Sequence, residues 1–177
     1  MALFKPSVCA VFFRTREKWG EFSNMCAGFP LVVQAEQFRT SEALYQALRF
    51  PDHPDIQELI RAEKSPMAAK MVAKGNIEKT RSDWDDVRVG IMRFSVAVKC
   101  VQHTVKLSKI FEESGTMPIV EKSRKDPFWG ALETEGGMLE GQNVLGDILM
   151  DIRARVFDGR EISVVAPPGC KIFGTEI

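Results

Sequence analysis

From about residue 40 onward the apolar residues of this chain recur mostly at spacings of three and four, whereas before that point they bunch into short continuous runs. The early run Val8-Cys9-Ala10-Val11-Phe12-Phe13 reads as a buried strand. Leu31-Val32-Val33, followed by Gln34 to Phe38, reads as a second strand and turn placed to pair with the first. Between them, Glu21-Phe22-Ser23-Asn24-Met25 is polar and turn-like, a loop suited to lining a pocket.

The later spacing predicts helices. One starts at Thr40 or Ser41 and places Leu44, Ala47 and Leu48 on one face. A second begins at Pro54 and ends before Ser65, and Ser65-Pro66 restarts a short helix through Met71 that Gly75 closes. The longest spans about Asp83 to Gln102, with Val87, Ile91, Phe94, Val98 and Val101 as its core stripe. Thr104 to Glu113 forms another, stopped by Gly115. Residues 115–142, rich in glycine and carrying Pro118 and Pro127, read as a long irregular loop with a short strand at Ile119-Val120. Asn143 then caps a last helix with Val144, Ile148, Ile152 and Val156 inward. Glu161 to Ala166 reads as a terminal strand, and Pro167 to Ile177 as a loosely held tail. The pattern predicts a mainly α protein of the α+β class, one compact domain with a small strand component.

Composition narrows the function classes. At 177 residues the chain is large enough to bury a core without staples. Lysine plus arginine equals aspartate plus glutamate at 24 each, so no global charge draws it to nucleic acid, and such a partner would need a local site. No apolar run approaches the roughly 18 residues of a membrane span, and no secretory leader is visible, which predicts a cytoplasmic protein with no membrane partner. Cys9, Cys26, Cys100 and Cys170 form no CxxC pair, and only His53 and His103 accompany them. No metal site and no cofactor are expected.

Candidate chemistry begins at Glu42, in the first turn of an otherwise apolar helix. Unpaired backbone N–H groups and the positive helix end there hold a carboxylate ionised and oriented, although an ordinary capping box has the same look. On the long helix Arg88, Met92, Ser95, Lys99 and Gln102 share a second stripe. It is either a helix edge at the solvent boundary or a wall that turns Lys99 into a cleft beside Glu42. A desolvated lysine there becomes a nucleophile toward a carbonyl. Asp126 before Pro127 suits a turn. Trp129-Gly130 suits an aromatic wall over a planar ring. The backbone N–H groups of Gly141-Gln142-Asn143, just before a helix, suit phosphate oxygens. Trp84 reads as core rather than as a stacking platform, and Met71, Met92 and Met150 read as plain core. The standard nucleotide-binding, metalloprotease and α/β-hydrolase motifs are missing.

Taken in order, Phe22-Ser23-Asn24, Thr40-Ser41-Glu42, Tyr45-Gln46-Ala47, Ser65-Pro66, Trp84, Arg88, Met92, Lys99, Glu121, Asp126, Trp129-Gly130, Gly141 to Gly146, Leu149-Met150 and Arg153 resemble the NADAR family. The resemblance covers roughly residues 12–156. It implies a NADAR-like catalytic domain over 1–156, with 157–177 as a C-terminal extension, strand and tail of the same domain. It further implies cleavage of N-glycosidic bonds to ribose, with Glu42, Lys99 and Asp126 in the active centre and Lys99 forming a Schiff base. Ser23, Asn24, Arg88, Trp129, Gly130 and Asn143 are implied to contact substrate. One family branch acts on phosphorylated riboflavin-biosynthesis intermediates. Another removes ADP-ribose from guanine in DNA, as antitoxin to a DNA ADP-ribosyltransferase toxin. The riboflavin-type pattern Ser-Glu-His departs here to Ser41-Glu42-Ala43, which tilts the expectation toward the second branch. The implied partners are then ADP-ribosylated guanine in single-stranded DNA, ADP-ribose as product and the cognate toxin as functional partner. A non-catalytic ADP-ribose or nucleotide binder would carry the same residues.

Overall fold

The computed structural model describes residues 1–177. In chain order its elements are β1 (Ala2–Phe4), β2 (Ala10–Phe12), β3 (Leu31–Val33), β4 (Glu36–Phe38), α1 (Ser41–Ala47), α2 (Pro54–Ala62), α3 (Pro66–Gly75) and α4 (Trp84–Gln102). There follow α5 (Thr104–Ser114), β5 (Ile119–Ser123), β6 (Ala131–Glu133), β7 (Leu139–Gly141), α6 (Val144–Phe157), β8 (Lys171–Ile172) and β9 (Thr175–Glu176). Helix predominates, as expected for a mainly α chain of the α+β class. No helix is long and apolar enough to cross a membrane. The chain traces two units, residues 1–26 with 103–162 and residues 27–102 with 163–177.

The first unit is built on a five-stranded sheet of order β1-β7-β6-β5-β2. β7 runs antiparallel to β1 and β6, while β5 runs parallel to β6 and β2. Residues 115–142, expected as irregular loop with one short strand at Ile119-Val120, hold that strand within β5 and supply two more, so three of the five strands lie there. Strands of three to five residues are too short to display a period of two. Their glycines, which read as loop signals, mark places where backbones meet. A Cβ on Gly141 would overlap the Gly130 carbonyl oxygen and the Ala131 Cα. Val120, Ala131 and Leu139 are fully buried, with Phe4, Cys9 and Val11 packed on them. β2 is shorter than the predicted strand, because Pro6–Val8 is a 3-10 turn with Val8 exposed. The ring of Phe22 contacts Phe12, Trp19 and Phe111 at centroid distances of 6.1, 6.1 and 5.4 Å, an aromatic cluster beneath the Ser23-Asn24 turn. α6 packs on β5 and α5 on α6. Its buried face is Leu145, Ile148, Leu149 and Ile152, so Val144 and Val156 are only half-buried.

The second unit is helical apart from two hairpins. β3 pairs with β4 rather than with β2, through a tight turn in which Gln34 and Ala35 both take positive φ, 50° and 65°. That is the turn geometry that matches strand twist, even without Asn or Gly to ease it. The predicted starts hold: Thr40 and Ser65 cap α1 and α3 through their hydroxyls, and Pro54 and Pro66 open α2 and α3. α1 packs against α2, α3 and α4, and all seven of its residues are buried. In α4 everything from Ile91 to Cys100 except Arg93 is buried, whereas Val101, expected inward, is exposed. Gln102 closes the helix against β3, its amide donating to the Val32 carbonyl at 2.7 Å and accepting from the Val32 N–H at 2.8 Å. Met71 is exposed on α3 rather than core.

The C-terminal tail is the second departure. Residues 161–166 form no strand, and the residues read as loose carry the β8–β9 hairpin. Gln57, with 0% exposure, holds it: the amide nitrogen donates to the carbonyls of Ala47 (3.1 Å) and Lys171 (2.8 Å), and its oxygen accepts from the Phe173 N–H (2.8 Å). Arg81 donates to the Pro168 carbonyl at 2.9 Å, and Pro167 lies over Gly90, where a Cβ would reach its ring at 2.8 Å. The end of the chain thus buttresses α1 through one buried amide.

Candidate active site

Glu42 sits at the second position of α1. Thr40 Oγ1 accepts from the Ala43 N–H at 3.2 Å, so the cap is made by the threonine, and alanine occupies the place where a capping box would put its glutamate. The Glu42 carboxylate instead receives a hydrogen bond from Gln46 Nε2 at 2.9 Å, one turn along. With 5% exposure, burial raises its pKa above the usual carboxylate range, while the Lys70 charge and the Gln46 hydrogen bond pull the other way. The sequence expectation was a carboxylate held ionised by the helix end. Dehydration outweighs that influence, and the result is a carboxyl that retains its proton more readily, as a proton carrier requires.

Lys99, on α4, is 2% exposed, and Met92 and Ser95 on the same stripe are also buried. The middle of this stripe is therefore enclosed, while at its ends Arg88 is half-buried and Gln102 exposed. Lys99 Nζ lies 4.7 Å from the centroid of the Phe29 ring, which meets the ammonium with a π-face rather than with water. Arg88, half-buried near the start of the same helix, has its Nε 3.6 Å from Asp85 Oδ1, a weak pair because Asp85 is fully in water. Burial pushes the neighbouring Cys100 thiol up to about 12, so it offers no thiolate at neutral pH. Trp84, expected as core, is half-buried: it packs on Tyr45 at 5.2 Å with the Arg49 guanidinium 5.0 Å from its ring.

The remaining predicted residues belong to the first unit. Ser23 and Asn24 are buried in the turn after the 3-10 segment Gly20–Phe22, where Ser23 Oγ accepts from the Met25 N–H at 3.2 Å. Asp126 organises its own turn: Oδ1 accepts from the N–H groups of Phe128 (3.0 Å) and Trp129 (2.9 Å), and Ser123 Oγ accepts from the Asp126 N–H (3.0 Å). Trp129 is half-buried, edge-on to Phe128 at 5.0 Å. Gly130 is buried where a Cβ would meet the Glu121 carbonyl oxygen at 2.5 Å, so the Trp-Gly pair is at least partly a packing requirement.

The start of α6 differs from expectation. The N–H groups of Gln142, Asn143, Val144 and Leu145 donate to the carbonyls of Pro127, Gly130, Phe128 and Trp129 at 2.6 to 3.1 Å. They are thus not available to phosphate oxygens, because the turn that carries Asp126 and Trp129 caps the helix itself. Asn143 is fully buried, in the left-handed region at φ 55°. Its amide donates to the Ile119 carbonyl (2.9 Å) and accepts from the Glu121 N–H (3.0 Å), so the side chain is a strut to β5.

The fold thus groups Glu42, Lys99 and Arg88 in one unit and Ser23, Asn24, Asp126, Trp129, Gly130 and Asn143 in the other. Gln46, quoted in the sequence only as part of Tyr45-Gln46-Ala47, was given no site role, and neither were Lys70 and Phe29. Gln46 was detectable as the residue four after Glu42 on a helix. Its amide oxygen is buried and accepts no hydrogen bond from the protein, leaving an acceptor beside the Glu42 carboxyl. Phe29, in an irregular segment, carried no signal.

Comparison with known proteins bears on this arrangement. Residues 11–157 match the model of the NADAR domain. N-glycosidase YbiA of Escherichia coli (strain K12) is 32% identical over 145 residues, 82% of this chain and 86% of that protein. Riboflavin biosynthesis protein VVA0006 of Vibrio vulnificus is 33% identical over 144 residues, 80% of this chain but 37% of that longer protein. The NMR structure of E. coli YbiA superposes with a TM-score of 0.71 at 30% identity, covering 84% of each chain.

Proposed function

The chain belongs to the NADAR domain family, and we propose that within it this protein removes ADP-ribose from guanine bases of DNA, reversing a DNA ADP-ribosyltransferase toxin. Relatives named N-glycosidases support a glycosidase role. The observation that carries the finer reading is the setting of Glu42: a buried carboxyl with raised pKa, followed by Ala43, which brings no second acid–base group. A single carboxyl must then both deliver and recover the proton.

The chemistry asked of it is separation of ribose C1 from a base nitrogen. Protonated Glu42 gives its proton to the base nitrogen as the C1–N bond breaks and the base leaves with the electron pair. Lys99, as neutral amine, forms the new bond to C1 and returns a proton to the Glu42 carboxylate; the bond from C1 to the ring oxygen then breaks, the remaining amine N–H proton passes to that oxygen, and an imine is left. Water adds to that imine carbon, Lys99 departs as amine, and the net change is one water consumed, with the guanine restored in the DNA and ADP-ribose released. Borohydride added during turnover should trap a protein–sugar adduct at Lys99. The covalent role fails if no adduct forms and Lys99→Ala keeps near-normal kcat.

A second reading, hydrolysis of phosphorylated riboflavin-biosynthesis intermediates, is favoured by the name of the Vibrio relative. Product analysis on ADP-ribosylated single-stranded DNA beside such an intermediate separates the two, with Glu42→Ala as control. Release of guanine-bearing DNA by wild type and not by the variant supports the proposal; turnover of the flavin intermediate alone replaces it. Asp126→Ala and Trp129→Ala in the same panel test the roles that the family resemblance gives them.

A further inference from the structure

The exposed edge of the five-stranded sheet carries an arrangement the reaction does not use. β2 is an edge strand, paired only with β5, and the chain leaves it at Phe13. Phe13, Lys122, Ser123, Arg124, Leu132 and Glu133 line a pocket of about 410 Å³. Three cations surround the Phe13 ring: the guanidinium carbons of Arg124 and Arg14 lie 5.5 and 5.8 Å from its centroid and Lys122 Nζ 6.0 Å.

Their partners differ. Lys122 is held by Glu133 at 2.7 Å, and Arg14 reaches Glu17 at 3.5 Å with both ends in water, which neutralises little. Arg124 has no carboxylate partner. The two segments meeting here, residues 13–18 and 121–126, hold Arg14, Arg16, Lys18, Lys122, Arg124 and Lys125 against Glu17, Glu121 and Asp126, with Glu133 in the pocket lining, an excess of positive charge. A chain of zero net charge has concentrated positive charge at one place, around an accessible aromatic face. A ring ringed by mutually repelling cations gains little as core packing. It suits a ligand that is planar and anionic together, whose base stacks on the ring while phosphates meet the guanidinium groups.

We propose that this pocket is a subsite for single-stranded nucleic acid, in which Phe13 stacks a base flanking the modified one and Arg14 and Arg124 hold its phosphates. The proposal rests on the DNA reading above for the word flanking, but not for the binding itself. Ser123 lines the pocket and also accepts the Lys125 and Asp126 N–H groups, so the pocket adjoins the turn that carries Asp126 and Trp129.

The test is fluorescence anisotropy with an unmodified single-stranded oligonucleotide across a salt series, for wild type, Phe13→Ala and Arg14→Gln/Arg124→Gln. Loss of one stacked base should weaken binding on the order of tenfold in Phe13→Ala. Each arginine removed should flatten the salt slope by about 0.7, so about 1.4 for the pair. On ADP-ribosylated oligonucleotide, the ratio of kcat/KM to that on ADP-ribosylated guanosine should fall by a similar factor. Arg14 and Arg124 are exposed, so the double variant folds even if Phe13→Ala does not, and thermal melting checks both. Unaltered oligonucleotide affinity in the double variant overturns the proposal, as does displacement of the oligonucleotide by polyglutamate or free mononucleotide at equal phosphate or carboxylate concentration. Failure to hydrolyse any ADP-ribosylated base would overturn the DNA reading alone, because the binding arms need no hydrolysis.

Discussion

Replacing Gln57 by leucine tests the claim that the tail is part of the fold of α1. Leucine keeps the volume near that of glutamine and removes every polar atom. Three backbone groups then lose their partner: the Ala47 carbonyl, which is buried, and the Lys171 carbonyl and Phe173 N–H, which are part-buried. A buried group left unsatisfied costs about 1–3 kcal/mol, and a hydrogen bond whose groups can recover water about 1 kcal/mol. The sum is about 2–4 kcal/mol after allowing about 1 kcal/mol for the added apolar burial of leucine. For a chain of this length each kcal/mol lowers Tm by about 2–4 °C, so a drop of roughly 4–16 °C is expected by circular dichroism or calorimetry. Urea melts should give the same loss with an unchanged m-value. Lys171→Ala, which removes only the exposed pair with Asp52 at 2.8 Å, should leave Tm where it was. A Gln57→Leu protein melting within about 2 °C of wild type would refute the reasoning, since the estimate rests on desolvated groups that cannot be satisfied elsewhere.

Three further outcomes follow from the geometry. Because burial raises the Glu42 pKa in the fold above its ordinary 4.5, its contribution to stability is complete below about that pH and is lost as pH rises through the folded value. Glu42→Gln should therefore abolish activity yet melt higher than wild type at neutral pH, with the difference vanishing near pH 4; a variant less stable at pH 7 than at pH 4 relative to wild type would reverse the sign and sink the assignment. The Lys70 charge lowers that pKa, so Lys70→Glu should move the limb of the pH–rate profile governed by Glu42 to higher pH, an effect that shrinks with added salt. Gly146→Ala would drive a methyl into the Ile119 carbonyl oxygen and the Asn143 amide, and should cost about 1–3 kcal/mol in urea melts; a neutral result would show that α6 can slide on β5.

Helix positions were legible in the sequence because their signals are local. Thr40, Pro54, Ser65, Pro66 and Gly115 mark ends by their own backbone chemistry, and the structure sets each boundary within a residue or two of its mark. The sheet was not legible. Two of its four pairings join segments distant in the chain, Ala2 with Gly141 and Ala10 with Ile119, and strands of three residues carry no period. The tail was misread because what holds it is a glutamine on α2, far along the chain and polar. For the site, residue types and order were visible, but burial was not. Whether the Lys99 stripe faced solvent depended on what packs around α4, and the fate of the Glu42 proton depended on how completely α1 is enclosed. Spacing alone also made the start of α6 an open cradle for anions, and only the three-dimensional path of residues 127–130 shows it already capped.

That capped helix start has a consequence for kinetics. Four main-chain hydrogen bonds and the Asn143 strut tie the turn from Asp126 to Gly130 to α6 and β5 before any ligand arrives. A segment ordered in advance contributes no folding entropy to the association step, so a group meeting it should bind without a slow closing phase there. Discrimination at this turn then comes from rigid misfit: a base of the wrong outline loses contacts that the backbone cannot move to restore. In stopped-flow traces, that behaviour is a single association phase whose dissociation rate alone varies among competing bases.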